Sequence, residues 1–388
     1  MADTFTEVTS KSWFSRLGGS IKSVLVGLVL FLVAFPLLWW NEGRAVTTSR
    51  SLAEGKAAVV SVSADTVNPA NEKKLVHLSG LATTEETLTD ADFGVAAPAI
   101  KLVRTVGMYQ WDEEKKTRTT QKLGGGEETT TTYVYKKVWS ERALDSSGFR
   151  QPEGHQNPGA LPWASKTITA SRVTLGVFTL PGELVEKANA TEDVRVDART
   201  AEALPQGTFV VPSNGVYYKG ADPAAPRVGD VRVQFQIVKP QVVSIVARQR
   251  GSTFEAYQAE AGDSILLLEE GTRSAEAMFK AAESANTILT WVLRAVGLFV
   301  MFLGLTMILR PISVFGSVIP LVGSLLGAGL GLFSFLTAAG LSLVTIALAW
   351  IFYRPLLGIG LLAVAGGAVV LLARFAAKKK AAAPAPAS

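Results

Sequence analysis

The chain has 388 residues, of which 48% are hydrophobic, with 38 Lys and Arg against 33 Asp and Glu. It contains no Cys and only two His, which excludes disulfides, thiolate nucleophiles and Cys-based metal sites and argues against a multi-His metal site. All acidic residues except two lie between Glu42 and Glu283, whereas ten basic residues lie outside that range. The net charge of +5 therefore reflects basic flanks around long apolar runs, which is typical of a membrane protein and not of a nucleic-acid-binding surface.

The first apolar run covers residues 21–40, and a basic stretch with Lys11, Arg16 and Lys22 lies at its start. Such a run is long enough to cross a hydrocarbon core of roughly 30 Å. The alternative is a cleaved signal peptide, which needs a shorter apolar core and small residues at the cleavage site. Because this run ends in the bulky pair Trp39-Trp40, we interpret it as a retained anchor. Residues 1–20 are then a cytoplasmic N-terminus.

Residues 41–285 are predicted to form one large β-rich domain on the non-cytoplasmic side. Two segments, 99–111 and 129–139, are rich in β-branched and aromatic residues with partial alternation. The polar, Gly-rich connection between them, residues 112–128, is expected to be a long mobile hairpin tip. Further strands are expected at 74–81, 172–179, 208–211, 230–238, 242–249 and 264–268, with helical pieces at 182–189 and 254–261.

This domain shows no recognisable catalytic motif: G-x-S-x-G, a phosphate-binding loop and H-E-x-x-H are all missing from the sequence. His77 lies within an apolar strand pattern and is interpreted as a packed histidine. His155 lies in a loop, where it either stabilises the loop or acts as an acid or base with a carboxylate. No metal or cofactor is expected.

The C-terminal part has no acidic residue after Glu283. We expect membrane helices at 286–309, 332–352 and 355–374, followed by a basic cytoplasmic tail, 375–388. Three crossings after Pro311 would fit the length, but they would place that tail outside, against the positive-inside rule. Segment 310–331 is therefore predicted to be re-entrant or interfacial. The expected fold class is an α+β membrane protein with one N-terminal and three C-terminal membrane helices.

Arg294 is the one charge predicted to lie well inside a membrane helix. A charge at membrane depth is a functional candidate by default. The alternatives are that its side chain extends to the interface or pairs with another group.

Gly323, Gly327 and Gly331 recur at four-residue spacing, which places them on one helical face. Small residues allow membrane helices to approach closely. The pattern indicates helix packing or self-association; the alternative is a flexible Gly-rich segment.

The chain resembles the transmembrane protein 43 (LUMA) family. The resemblance rests on nine strings in family order: N-E-G-R-A at 41–45, S-L-A-E-G at 51–55, N-E-x-x-L-V-H at 71–77, P-A-I-K-L to M-Y-Q-W within 98–111, G-H-Q-N-P at 154–158, G-D-V-R-V at 229–233, V-A-R-Q-R-G at 246–251, W-V-L-R-A at 291–295 and F-Y-R-P-L at 352–356. Motif residues without an assigned role are Asn41, Glu42, Gly43, Arg44, His77, Trp111, His155, Arg248, Arg250 and Arg354.

The resemblance implies four crossings, a large non-cytoplasmic domain and no enzymatic activity. It also implies a membrane organiser that self-associates, which in animals is an endoplasmic reticulum and inner nuclear membrane protein with lamin and emerin partners. Those partners are not transferred, because the composition and simple tail favour a bacterial inner-membrane protein with a periplasmic domain.

Three functions follow from these observations. The first is a non-enzymatic scaffold whose domain binds protein or envelope partners, embedded in the lipid bilayer as a homo-oligomer without nucleic acid. The second is a transporter or lipid-handling protein using Arg294 and segment 311–331. The third is an envelope hydrolase using His155 with a carboxylate.

Overall fold

The structure, a computed structural model, describes residues 3–189, 192–194, 205–211 and 215–355. The chain forms two compact units. The β-rich unit comprises residues 1–10, 51–120 and 128–282, and the helical unit comprises residues 11–50, 121–127 and 283–388.

Nineteen strands are present among the described residues. They are β1 Asp3–Lys11, β2 Val60–Ser61, β3 Leu75–Thr83, β4 Thr87–Asp90, β5 Val95–Pro98, β6 Lys101–Gln121, β7 Glu127–Ser140, β8 Lys166–Thr169, β9 Val173–Leu175, β10 Phe178–Leu180, β11 Glu192–Asp193, β12 Thr208–Val211, β13 Val216–Lys219, β14 Val231–Val238, β15 Gln241–Arg250, β16 Thr253–Glu255, β17 Tyr257–Gln258, β18 Ser264–Ile265 and β19 Leu267–Glu270. The α-helices are α1 Trp13–Ala58, α2 Gly182–Glu186, α3 Ala275–Gly316 and α4 Pro320–Tyr353.

Two large sheets make up the β-rich unit. The first has the strand order β1-β7-β6-β14-β13-β12, with β8 also on β6 and β11 also on β14. The second has the order β19-β15-β16-β10-β9-β3-β2, with β15 also paired to β3. Strand β14 shows why these segments are strands, since Val231, Val233, Phe235 and Ile237 are buried at alternating positions. Its antiparallel register places Val233 opposite Val106 of β6.

One hydrophobic core contains residues of both large sheets. Phe93 lies at its centre, fully buried, with its ring about 5–6 Å from those of Trp163, Tyr217 and Phe235. Aromatic contacts of this kind add to the free energy gained by burying apolar area. The predicted β-rich character of this region is confirmed.

Several predicted details differ from the structure. Segment 254–261 is not helical: it forms β16 and β17 instead. The predicted strand 172–179 is divided into β9 and β10, because Gly176 takes the left-handed backbone conformation that a tight turn requires. The connection expected at 112–128 is mostly strand, and β6 and β7 are joined by the short turn 122–126.

The N-terminal residues predicted to be a cytoplasmic tail contain a strand. Strand β1 is hydrogen-bonded to β7 at the edge of the first sheet, and Glu7 forms an ion pair with Arg150 at 2.6 Å. Almost every side chain of β1 is exposed, so the sequence shows no buried face from which the strand could be recognised.

Glu86 joins two loops of the β-rich unit. Its carboxylate accepts hydrogen bonds from the backbone N–H of Ser171 at 3.0 Å, the Ser171 hydroxyl at 2.7 Å and the backbone N–H of Arg172 at 2.7 Å. The bonds from Ser171 and then Arg172 lower the pKa of Glu86 below its ordinary value of 4.5. The stabilisation from these bonds is therefore complete above pH 4.5 and lost as the pH falls through the lowered pKa.

We expect Glu86→Gln to flatten the loss of stability of the β-rich unit between about pH 5 and pH 3. Glutamine does not ionise, so lowering the pH cannot protonate this side chain and weaken its hydrogen bonds. Urea unfolding at a series of pH values measures this slope. The matched control is Glu85→Gln, an exposed neighbour, which should keep the wild-type slope. Equal slopes in both variants and in the wild type would contradict the assignment.

The helical unit contains three helices long and apolar enough to cross a membrane: α1, α3 and α4, the last over residues 323–353. This confirms the expected N-terminal span and two of the three C-terminal spans. The fourth, predicted at 355–374, lies outside the described residues apart from its first position.

Segment 310–331 is divided between two helices. Helix α3 continues through Pro311 to Gly316, and α4 begins at Pro320. The predicted end of the helix at Arg310-Pro311 is therefore wrong. A proline removes one backbone N–H, and such breaks are tolerated in membrane helices where neighbouring groups satisfy the freed carbonyl.

Helices α1 and α3 cross most closely at two glycines. A Cβ atom on Gly27 would lie 2.8 Å from the carbonyl oxygen of Gly304, and one on Gly304 would lie 2.6 Å from the backbone nitrogen of Phe31. Backbones can approach this closely only where no side chain separates them. Below the crossing, Ala34, Leu38 and Met301 form a fully buried cluster with Ala338 of α4.

Candidate functional site

The motif after the first membrane span forms a polar cluster in the helical unit, and Glu42 is its centre. Glu42 of α1 is 1% exposed, and its carboxylate accepts hydrogen bonds from Nε of Arg294 at 2.6 Å and from a terminal nitrogen of the same guanidinium at 2.8 Å. This bidentate ion pair joins α1 to α3. Two parallel bonds fix the angle between the groups as well as their distance.

Aromatic side chains contact both members of the ion pair. The indole N–H of Trp350 on α4 donates to the second Glu42 oxygen at 2.7 Å. The Arg294 guanidinium lies 4.7 Å from the ring centre of Trp291 and 5.6 Å from that of Trp350. Cation–π contacts of this kind strengthen when the cation is removed from water. One carboxylate thus connects all three described membrane helices.

A second layer of hydrogen bonds surrounds Asn41 and Arg44. The buried amide of Asn41 donates to the carbonyl of Thr290 at 3.1 Å. Arg44 donates to the side-chain oxygen of Asn286 at 2.9 Å and to the Thr290 hydroxyl at 3.0 Å. These bonds satisfy polar groups that would otherwise be costly to bury.

Gly43 and Arg354 complete the motif residues of this cluster. A Cβ on Gly43 would lie 2.7 Å from the Tyr353 ring, so a side chain at this position would displace that ring. Arg354 follows α4 and lines a cleft of about 370 Å³ together with Arg294, Trp291 and Trp350.

Within this cluster, Arg294 is a charge paired with Glu42. Of the interpretations open from the sequence, this arrangement matches structural pairing, since two nitrogens of the guanidinium bind Glu42 and two indole rings lie 4.7 Å and 5.6 Å from it. A charge so placed holds helices together and offers little to a passing substrate.

The three glycines of α4 do not share one environment. A Cβ on Gly323 would lie 2.6 Å from Cα of Ser317, and one on Gly327 would lie 3.5 Å from the Ser313 hydroxyl. Around Gly331 no atom of the described chain lies within 4 Å of such a Cβ. Gly323 and Gly327 therefore serve contacts within the chain, while Gly331 is open to other molecules.

His155 lies in the β-rich unit and is 3% exposed. Its ring stacks on Tyr135 at 3.9 Å and meets Trp111 edge-on at 4.7 Å. Nδ1 lies 2.9 Å from the Gln151 carbonyl and Nε2 lies 3.0 Å from an Asp3 carboxylate oxygen. Both nitrogens lie within hydrogen-bond distance of oxygen atoms, so the ring connects the loop to β1 and neither nitrogen is left free for a substrate.

Tyr135 continues this network. Its hydroxyl donates to Glu113 at 2.8 Å, and burial followed by this bond raises the pKa of Tyr135 to about 12. The phenol therefore stays protonated at physiological pH and is a structural donor.

The other motif residues of the β-rich unit also make internal contacts. His77 is mostly buried, with Nδ1 at 3.3 Å from the Ser61 hydroxyl and Nε2 at 2.8 Å from the Arg273 carbonyl. Arg248 pairs with Glu255 at 2.7 Å, and the more exposed Arg250 reaches the same carboxylate at 3.5 Å. Among the described residues, no group of three or more His, Asp or Glu side chains could hold a metal ion.

Sequence reasoning singled out Glu42 and Arg294 separately but did not pair them. A signal was available: Glu42 follows one span directly, and Arg294 lies near the start of the next. Antiparallel crossings place both at the same membrane depth. Trp350, Asn286 and the Gly27–Gly304 crossing were missed, because nothing in their local sequence marks them.

The chain is similar to known proteins of one family. A model of the family described as Transmembrane protein 43 matches residues 108–355. The chain is 36% identical over 368 residues to Transmembrane protein 43 of Mus musculus, covering 90% of both chains. The Homo sapiens protein is 36% identical, with 89% of this chain and 88% of that one covered. The Drosophila melanogaster homolog is 32% identical, with 87% and 90% covered. No solved structure matches the chain.

Proposed function

Because this chain belongs to the transmembrane protein 43 family, we propose that it is a non-enzymatic multi-pass membrane scaffold. Its β-rich unit binds protein or envelope partners on the non-cytoplasmic face, and its membrane helices associate with those of further copies.

This proposal rests on the observation that the motif residues bind other residues of the chain. Glu42 and Arg294 form a closed ion pair between helices, and His155 is enclosed by aromatic rings. Side chains whose hydrogen bonds all go to other parts of the chain stabilise the fold and do not act on a substrate. The same ion pair argues against transport through Arg294, since a transport site needs a charge that exchanges partners.

Two further observations support the remaining parts of the proposal. The basic residues near the C-terminus favour a cytoplasmic position for that flank. Gly331, open on the surface of α4 beside the exposed Leu332 and Leu336, provides a site where a helix of a second copy can approach closely.

A crosslinking experiment on the Cys-free chain tests the proposal. We expect Lys187→Cys, at an exposed position of the β-rich unit, to react with a membrane-impermeant maleimide in intact cells. A maleimide reagent whose second arm is a photoreactive diazirine should then capture dimers and any neighbouring envelope protein, which mass spectrometry identifies.

Adding Gly331→Leu separates the two parts of the proposal. This change should lower the crosslinked dimer fraction several-fold without altering the monofunctional labelling. A Lys187→Cys chain that crosslinks to nothing would remove the scaffold. Labelling only after permeabilisation would reverse the orientation, and an unchanged dimer fraction would remove association through α4.

A further inference from the structure

A basic cleft lies in the helical unit where α1 begins and α3 leaves its apolar span. It has a volume of about 600 Å³, and four cations line it: Lys11, Arg16, Lys22 and Arg310. They come from the end of β1, two turns of α1 and the last part of α3, so only the folded helical unit brings them together.

Arg16 is the one cation of the four that has an anionic partner within the described chain. It pairs with Glu127 at 2.7 Å and donates to the Ser317 hydroxyl at 2.9 Å and to the Gly125 carbonyl. Its side chain is 7% exposed. This contact holds Glu127 in the wall of the cleft and neutralises the one acid among the described residues that line it.

The other three cations have no such partner. Among the described residues, none forms an ion pair or hydrogen bond with the side chains of Lys11, Lys22 or Arg310, all of which are exposed. Like charges gathered in one cleft repel each other unless an anion neutralises them. The cleft therefore has the electrostatic character of an anion site with a net charge of about +3.

The position of the cleft restricts the kind of anion. Lys22 is the last base before the apolar run 23–40, and Arg310 follows the apolar run 295–309, so the cleft lies at the border between lipid and water. A second groove of about 120 Å³ shares Arg310 and is lined by Thr306, Ser313, Gly327 and Gly331. Because Leu309 and Leu330 also line it, the groove offers an apolar surface to a lipid chain beside α3 and α4.

We propose that this cleft binds the head group of an anionic phospholipid. Lys11, Lys22 and Arg310 hold the phosphate, the Arg16–Glu127 pair shapes the wall, and an acyl chain follows the groove beside Leu309 and Leu330. Basic pockets between membrane helices are the usual recognition mode for such head groups.

Native mass spectrometry of the purified full-length chain in mild detergent tests the site. We expect phosphatidylglycerol to bind more tightly than phosphatidylcholine with the same acyl chains. The triple variant Lys11→Gln, Lys22→Gln, Arg310→Gln should bind phosphatidylglycerol on the order of 100-fold more weakly, about fivefold for each cation.

The charge-matched control is Lys166→Gln, Arg172→Gln, Lys187→Gln, which removes three exposed cations of the β-rich unit. This control should keep the wild-type preference. Equal losses in both variants, or equal binding of the two lipids by the wild type, would overturn the site. If the triple variant does not fold, Lys22→Gln alone should still lose about fivefold; wild-type affinity in that variant would also overturn it.

Soluble glycerol phosphate distinguishes a lipid from a free phosphate ester. Displacement of phosphatidylglycerol only at concentrations far above that of the lipid supports the proposal, because the acyl chain contributes to binding. Displacement at equal concentration would assign the cleft to a soluble phosphate ester and refute the lipid assignment.

Discussion

Replacing Glu42 with Ala is expected to lower the free energy of unfolding of the helical unit by about 3–5 kcal/mol. The change leaves the Arg294 guanidinium without its carboxylate, and an uncompensated buried charge costs more than the lost bond alone. The indole N–H of Trp350 also loses its acceptor. Unfolding by increasing fractions of a denaturing detergent, followed by tryptophan fluorescence, measures the effect.

The double variant Glu42→Ala, Arg294→Leu is the control for this prediction. Removing both charges eliminates the unpaired cation, so the double variant should recover most of the lost stability. Exchange of the charges, Glu42→Arg with Arg294→Glu, should recover less, because the bidentate geometry and the Trp350 bond are not reproduced. A single variant as stable as the wild type would show that the pair contributes nothing.

Replacing Gly304 with Leu is expected to prevent α1 and α3 from packing. Even the first side-chain atom would lie 2.6 Å from the backbone of Phe31. Because the obstructing atom belongs to the backbone, the helices must separate, and the whole contact down to Leu38 and Met301 is lost. Overpacking within a well-ordered core typically costs about 1–3 kcal/mol, and a separation of helices exceeds that range.

Gly340→Leu on α4 is the matched control, since no described atom lies within 4 Å of a Cβ at that position. Both changes add the same side chain to a helix. Thermal melting in detergent should show a large drop for Gly304→Leu and a shift close to zero for Gly340→Leu. Similar melting temperatures in the two variants would contradict a close crossing at Gly27 and Gly304.

The membrane spans could be predicted from sequence alone because they depend on local composition. A run of twenty apolar residues such as 21–40 excludes water wherever it lies in the fold. The alternation in β14 is local in the same sense, since side chains point to opposite faces at every second residue. Such local patterns also indicated the family, the large β-rich region and the packed environment of His77.

The site depended on pairs of residues far apart in the chain. Glu42 and Arg294 are separated by 252 positions, and neither residue indicates which partner it will meet. The same holds for Asp3 and His155, because β1 has no buried face to reveal its place in the sheet. The glycine face was predicted from spacing, yet the closest backbone contact formed at Gly27 and Gly304, whose spacing shows no pattern.

The sequence by itself therefore determined where the long apolar helices lie and where the strands with a buried alternating face lie, because hydrophobicity and periodicity act over a few neighbouring residues. Only the tertiary structure decided which charges neutralise each other and which glycines permit helices to touch. Those outcomes depend on distances between segments that meet only when the chain has folded.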